Sequence, residues 1–475
     1  MANEKKQNEK IISNFYMYIT SYQYLAHLWL FNPLREFLCT CKVKRQKVMY
    51  IFLMLSPLFL ASCSVRDNSN IMTNTKEEIL NNSYKFVESD FTRLFSTLNQ
   101  KSLGKGKDVL GIEDKDRPMA YGLILSALSN YHKVSQDGNY ITEIRNCGYW
   151  LINNSDIDRD GIHGFGLPEA WDAFGDGSVN PPHNEYTITT AIAIKGLLDW
   201  LDADSEAPQE EIKSTINLLL QPYLSGLYNS PSGLYAYSLH QNDLQYDVFN
   251  PAAFLAGQMQ RYSQIADHNN EDIQSEADRI INLLVQNHLV DINGNWFWNY
   301  GALLDKLERP NDLVHAVYII EGMREYIKNN GRKRHSLQYS YIRDHVFIFL
   351  KNQAWCERFD TSNCNTKKVR LWALGMLLYL FSTEPNVQDI YTDMLLIQFE
   401  QYKDTQGIFR DPDQYVRHDA HLLLGMSHYL FFLYIPEHSK VGNYSGVYKA
   451  NRVSTLKIYG SIAVSGRLHN FSLPR

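Results

Sequence analysis

Acidic, basic and aromatic side chains gather at a few places in this chain, most densely between Asp156 and Tyr186. Asp156, Asp158 and Asp160 alternate ahead of Gly161. In this layout carboxylates converge on a hard cation while glycine allows a sharp turn, so calcium is the expected ligand. An EF-hand would carry Glu where Leu167 stands, although Glu169 lies nearby, and a hydrogen-bonded Asx turn explains the same aspartates without a cation. Glu169, Asp172 and Asp176 then surround Trp171. Two such carboxyl groups, one protonated and one ionised, can serve as an acid and base pair.

The same residue types recur in sets along the chain: Asp116, Arg117 and Tyr121; Glu185 and Tyr186; Asp247 and Asn250; Asn311, Asp312 and His315; Arg370 and Trp372; Arg417, His418, Asp419 and His421. Each set opens an apolar helical stretch. A carboxylate at a helix N-terminus also has a structural explanation, since it caps free N–H groups and complements the helix dipole. Caps do not require His, Arg, Tyr and Trp at the same ends. His or Tyr can remove a proton, and Arg can hold a carboxylate.

The elements that position these sets repeat. The sets are spaced by about 48 to 69 residues, a period that points to an array of helical hairpins. Apolar positions at helical spacing predict six inner helices over Ala120–Tyr131, Thr187–Leu201, Ala252–Ile265, Leu313–Tyr326, Leu371–Phe381 and His421–Tyr434. They are rich in Ala, Gly and Leu and poor in charge, as burial on both sides requires. Six more polar helices alternate with them over Lys76–Leu98, Tyr140–Asn153, Glu210–Leu224, Asp272–Asn287, Gln338–Asn352 and Val387–Tyr402. Turns with Gly161, Gly233, Gly294 and Gly407 beside aromatic residues follow outer helices, where glycine permits a left-handed backbone. The fold class is therefore all-α, an (α/α)6 toroid of six inner and six outer helices over 76–435.

This architecture and the composition of the six sets resemble the α/α-toroid carbohydrate-active proteins, the six-hairpin glycosidases with their lyase and uronosyl-epimerase relatives. The resemblance implies that the N-terminal ends of the inner helices line a funnel holding a polysaccharide or oligosaccharide. Glycoside hydrolysis needs one carboxylic acid and one carboxylate. Glu169, Asp172, Glu185, Asp312 and Asp419 are the candidates, with His315 beside them. Elimination or C5 epimerisation of a uronate instead needs a His or Tyr base and an Arg to hold the sugar carboxylate. His315, Tyr186, His418, His421 and Arg417 meet that need. Trp171, Tyr186, Asp247, Asn250, Arg370, Trp372, Arg417, His418 and His421 are the expected substrate contacts. Hydrolysis comes first, uronate chemistry second, and a noncatalytic sugar-binding protein third.

Lys42, Lys44, Arg45 and Lys47 precede an apolar run to Leu60, and Leu60-Ala61-Ser62-Cys63 closes it. Basic, apolar and small-residue regions in this order are the layout of a secretory signal. They resemble a bacterial lipobox, which implies lipid on Cys63 and tethering to the cell envelope. Residues 1–62 would be the leader, its upstream part a mis-called start, with 63–75 a tether and 436–475 an irregular tail. In an oxidising compartment Cys356 and Cys364 can close their polar loop as a disulfide, with Cys147 a buried apolar residue. A net charge of −6 and no long basic run beyond the leader argue against nucleic acid as a partner. No P-loop, dinucleotide fingerprint or Ser-His-Asp motif is present.

Overall fold

The computed structural model describes residues 69–438, apart from 101, 112–114, 136–138, 268–269, 302–308, 361–363 and 385–388. The chain divides into units Met1–Asn74 and Thr75–Arg475, and the architecture below is that of the second. The leader, Cys63, the tether as far as residue 68 and the tail beyond 438 lie outside the described residues. No described helix is long and apolar enough to cross a membrane.

Among the described residues twelve α-helices alternate between two layers. The inner layer is α2 (Pro118–His132), α4 (Thr187–Ala203), α6 (Phe249–Ser263), α8 (Leu313–Lys328), α10 (Leu371–Thr383) and α12 (Val416–His438). The outer layer is α1 (Ser69–Gln100), α3 (Ile141–Asn153), α5 (Gln209–Leu224), α7 (Asn270–Gln286), α9 (Ser336–Asp344) and α11 (Asp389–Phe399). Each inner helix packs on the next, and α12 returns to α2, so the ring closes. This is the expected all-α toroid.

Inner helices α2, α4, α6 and α10 are buried along almost their whole length, which explains their uniform apolarity. Glycines let three pairs of them approach closely. A Cβ on Gly196, Gly257 or Gly425 would collide with the backbone oxygen of Gly122, Gly322 or Gly375 respectively. These contacts join α2 to α4, α6 to α8 and α10 to α12. Outer helices cover single faces: α3 packs on α2, α5 on α4, α7 on α6, α9 on α8 and α11 on α10. The first helix joins both ends of the circle, because Phe91 stacks on Tyr131 of α2 at 4.5 Å while Asp90 accepts from Lys403 at 2.7 Å, just past α11.

The fifth outer helix is shorter than its apolar spacing predicts. After α9 a 3-10 turn over His345–Phe349 leads into a hairpin of β3 (Leu350–Lys351) and β4 (Ala354–Trp355). Asn352 and Gln353 both have positive φ, as a tight two-residue hairpin turn requires, and no helix continues through them. The expected disulfide between Cys356 and Cys364 follows directly, and Cys147 is buried and free. A second small hairpin pairs β1 (Leu289–Val290) with β2 (Trp296–Phe297). Gly161, Gly233, Gly294 and Gly407 all have positive φ, in agreement with their predicted turns.

Buried ion pairs plug the C-terminal half of the ring. Lys195 of α4 holds Asp199 at 2.7 Å, Arg261 of α6 holds the same carboxylate at 2.8 Å, and Arg324 of α8 holds Glu321 at 2.8 Å. The opposite end carries the side chains that can meet a ligand.

Candidate functional site

Trp372, in the first turn of α10, is the hub of this end. Within 6 Å of its ring centre lie the rings of His315 (5.9 Å), Tyr318 (5.9 Å), His418 (5.7 Å) and His421 (5.1 Å). The guanidinium groups of Arg370 and Arg417 sit 5.3 and 4.9 Å from it. Three inner helices, α8, α10 and α12, thus bring together residues more than a hundred positions apart.

On one side of Trp372, Asp312 opens α8. Its Oδ1 caps the helix by accepting the His315 amide at 3.2 Å and also meets His315 Nδ1 at 2.5 Å. Its Oδ2 accepts from Arg370 at 2.6 Å and from the Tyr300 hydroxyl. Burial alone would raise this carboxyl, but His315 and Arg370 hold it well below the usual carboxylate range. The pairing places the His315 proton on Nδ1 and leaves Nε2 for another partner. This is how a buried carboxylate orients a general base. Arg370 is braced further by Glu357, whose carboxylate accepts its Nε at 2.7 Å.

Beneath the hub runs a hydrogen-bonded chain. Trp372 Nε1 donates to the Tyr318 hydroxyl at 2.7 Å, Tyr318 lies 2.5 Å from His421 Nε2, and His421 Nδ1 lies 2.5 Å from the Arg417 carbonyl. Nδ1 faces an acceptor and so carries the proton, making Nε2 the acceptor of the Tyr318 proton. Burial pushes the His421 imidazolium well below its ordinary range and raises the Tyr318 phenol, which keeps both groups neutral. Both side chains are almost fully buried, whereas the side chains of His315, Arg370 and Arg417 retain 18, 28 and 15% exposure. The first two position the hub; the latter three can touch a ligand. Arg417 is paired with Asp108 at 3.3 Å.

An aromatic wall adjoins this group. Tyr186 and Tyr237 pack at 5.2 Å, Trp171 meets them edge-on at 5.6 and 6.3 Å, and Phe174 stacks on Tyr246 at 4.0 Å. Trp171, Phe174 and Tyr237 are half-buried, so part of each ring stays open to solvent. Burial raises the Tyr237 phenol above its ordinary range, and the nearby Arg417 charge opposes that shift, which ties the wall to the hub.

Other predicted site residues have different company. Glu169 is buried against Arg117 in an ion pair. Asp172 accepts the amides of Gly175, Asp176 and Gly177, so it folds its own loop. Glu185 packs against Gly164, and burial first, then Asp158, Asp160 and Asp156, push its carboxyl up to about 8. Asp156, Asp158 and Asp160 do offer ligand atoms within 4.8 Å of one another. Asp160, just before Gly161, also accepts the Ile162 amide at 2.8 Å, and in the turns at Gly294 and Gly407 an aspartate two positions earlier in the turn, Asp291 or Asp404, accepts the amide of Asn293 or Gln406. Asp247 and Asn250 are buried at the start of α6, and Asp419 is half-buried in the first turn of α12. Oδ1 of Asn250 and both amide atoms of Asn311 are buried without a hydrogen-bond partner among the described residues, as expected where a ligand or water completes the site. A cavity of about 170 Å³ between α2, α3 and the loop from Ile157 to His183 shares no lining residue with the Trp372 group.

Sequence reasoning did not single out Tyr318, Tyr300, Glu357 or Asp108, and it read Tyr237 only as a structural aromatic of the Gly233 turn. Tyr318 could have been found, since Asp312, His315 and Tyr318 follow at helical spacing of three. Tyr300, Glu357 and Asp108 come from connecting segments without a local pattern.

No protein-family model matches the chain, and no curated protein matches it in sequence. Solved structures match its fold. Cellobiose 2-epimerase from Spirochaeta thermophila is similar with a TM-score of 0.50 and 11% identity, over 73% of this chain and 98% of that one. Dfg5 from Chaetomium thermophilum in complex with glucosamine gives 0.50 and 14%, over 75% and 91%. An inactive variant of an alpha-1,6-mannanase from Salegentibacter, in complex with alpha-1,6-mannotriose, gives 0.50 and 11%, over 74% and 99%. Likenesses of this kind establish the six-hairpin (α/α)6 toroid and leave the reaction to be argued from the site.

Proposed function

We propose that this chain is a carbohydrate-active enzyme that moves a carbon-bound proton of an acidic sugar, with uronate elimination or C5 epimerisation as the outcome. The observation that carries this is the Asp312–His315–Arg370 arrangement. His315 Nε2 is the base that takes the proton beside the sugar carboxylate, and Asp312 fixes the imidazole and stabilises its charged form. Arg370 and Arg417 neutralise the carboxylate, whose charge grows as the proton leaves. Trp171 and Tyr237 pack against neighbouring pyranose rings.

Two-carboxylate hydrolysis is the second reading, favoured by Glu185. A carboxyl pushed up to about 8 is protonated at neutral pH and suits a general acid, while Asp312 stays ionised. Incubating the purified protein with acidic and neutral polysaccharides tests both. An unsaturated-uronate chromophore, or solvent deuterium entering C5, supports the first. New reducing ends with neither signal overturn it in favour of hydrolysis, and binding without turnover overturns both in favour of a sugar-binding protein. We also place the protein at the bacterial envelope through lipid on Cys63, from the sequence between Lys42 and Cys63. Replacing Cys63 by Ser should release it from the membrane fraction, and unchanged detergent-dependent partitioning would refute the anchor.

A further inference from the structure

Asp411, Asp413 and His418 each present one ligand atom, and the three atoms lie within 4.8 Å of one another. The two aspartates precede α12 and His418 lies in its first turn, so a short stretch of chain folds the cluster. The side chains of Asp411 and His418 are each only 1% exposed, whereas Asp413 is open to solvent. Asp411 Oδ2 accepts the Tyr415 amide at 3.2 Å, which fixes the carboxylate. Its Oδ1 stands 3.0 Å from His418 Nδ1, but off the line that a hydrogen bond needs. Oδ1 and both imidazole nitrogens are therefore buried without a hydrogen-bond partner among the described residues. Buried polar atoms in this condition are costly and uncommon.

A cation meets two of these needs together, those of Oδ1 and of the Nδ1 beside it. It takes lone pairs from Oδ1 and the imidazole, Asp413 closes a third side, and solvent reaches a fourth. Neighbouring positive groups face other carboxylates: Arg417 faces Asp108, Arg370 faces Asp312 and Glu357, and Arg410 faces Asp404. We propose that Asp411, Asp413 and His418 hold a divalent transition-metal ion of the zinc or manganese kind at the mouth of the ring. An imidazole with two carboxylates suits these metals better than calcium or magnesium, which sets the site apart from the all-oxygen Asp156–Asp160 loop. The ion pins the segment that enters α12 and so fixes Arg417. It is independent of which sugar reaction the chain performs.

The experiment strips the untagged full chain with chelator and titrates it with cobalt(II), followed by visible absorption, calorimetry and melting temperature. One equivalent with the ligand-field band of an imidazole-bound cobalt, and a raised melting temperature, are expected. Asp413→Asn, at an exposed position, should fold normally and bind at least about tenfold more weakly, a loss at least comparable to that of disturbing a ligand's support. His418→Gln should abolish the band, and the double variant Asp158→Asn, Asp160→Asn should keep it. Absence of saturable cobalt binding in the wild type, or equal binding by wild type and Asp413→Asn, would overturn the site.

Discussion

Replacing Asp312 by Asn changes one charge and almost no volume, so it isolates the electrostatic support proposed for His315 from the side chain's structural role. Asn serves as a helix cap about as well as Asp, so the His315 amide keeps an acceptor and α8 keeps its start. Arg370 keeps Glu357. What is lost is the negative charge that faces both His315 Nδ1 and Arg370. The carboxamide oxygen can serve one of these donors, and its NH2 group must then face the other. General acid–base catalysis is worth about 10²- to 10⁴-fold, so kcat should fall by that order, with KM changed far less because Arg417 is untouched. Breaking a fully buried charge pair costs about 3–5 kcal/mol, and here the partial exposure of His315 and Arg370 reduces the expected loss to roughly 1–3 kcal/mol. The pH dependence has a definite sign. The carboxyl is depressed in the fold relative to its ordinary 3.8, so its stabilisation is present above that value and is lost as pH falls through the folded pKa. Wild type should therefore lose stability in acid more steeply than the variant. Steady-state kinetics and urea denaturation from pH 2 to 7 measure both effects. A variant within threefold of wild-type kcat, or one with the same acid limb, refutes the role given to Asp312.

Gly257→Ala puts a methyl group against the Gly322 carbonyl and should destabilise the fold by about 1–3 kcal/mol, read from the denaturant midpoint; no change would mean that α6 and α8 part freely. Glu185 has its carboxyl raised in the fold from 4.5 to about 8, so its contribution to stability is complete below 4.5 and is lost as pH rises towards 8. Glu185→Gln should flatten the stability profile across that window, and superimposable profiles would show that the carboxyl titrates normally. If Asp156, Asp158 and Asp160 bind calcium, chelation should lower the melting temperature and calcium should restore it, because a ligand of the folded state alone stabilises it. Identical melting with chelator and with excess calcium leaves these aspartates as turn residues.

The inner helices were legible because their burial is nearly complete, so a plain apolar run at helical spacing marks them. Their glycines gave no comparable signal for packing, since a close approach between Gly196 and Gly122 depends on a partner 74 positions away. The hairpin after α9 was missed because its decisive residues, Asn352 and Gln353, interrupt a sequence whose apolar spacing still reads as helix. At the mouth, Asp312, His315, Trp372 and His421 stood out as unusual residue types at helix openings. Their acidic neighbours in the Asp156–Tyr186 loop stood out just as clearly, yet Glu169 and Asp172 are occupied by Arg117 and by backbone amides. Local composition cannot separate an acid that folds a loop from one that faces a ligand. That distinction depends on partners supplied by distant segments, as Arg370 and Glu357 show for Asp312.

Glycine contacts divide the ring's wall unevenly. They clamp α2 to α4, α6 to α8 and α10 to α12, and leave the seam between α8 and α10 as the thinnest of the six. That seam is laced by Arg370 reaching Asp312 and by Trp372 reaching Tyr318. Arg370, proposed above to meet the ligand, is thus also a stitch of this seam. A carboxylate that competes for Arg370 would draw on one of the bonds that join α8 to α10, while the buried bonds of Tyr379 to Glu321 and Arg324 hold the other end of the seam.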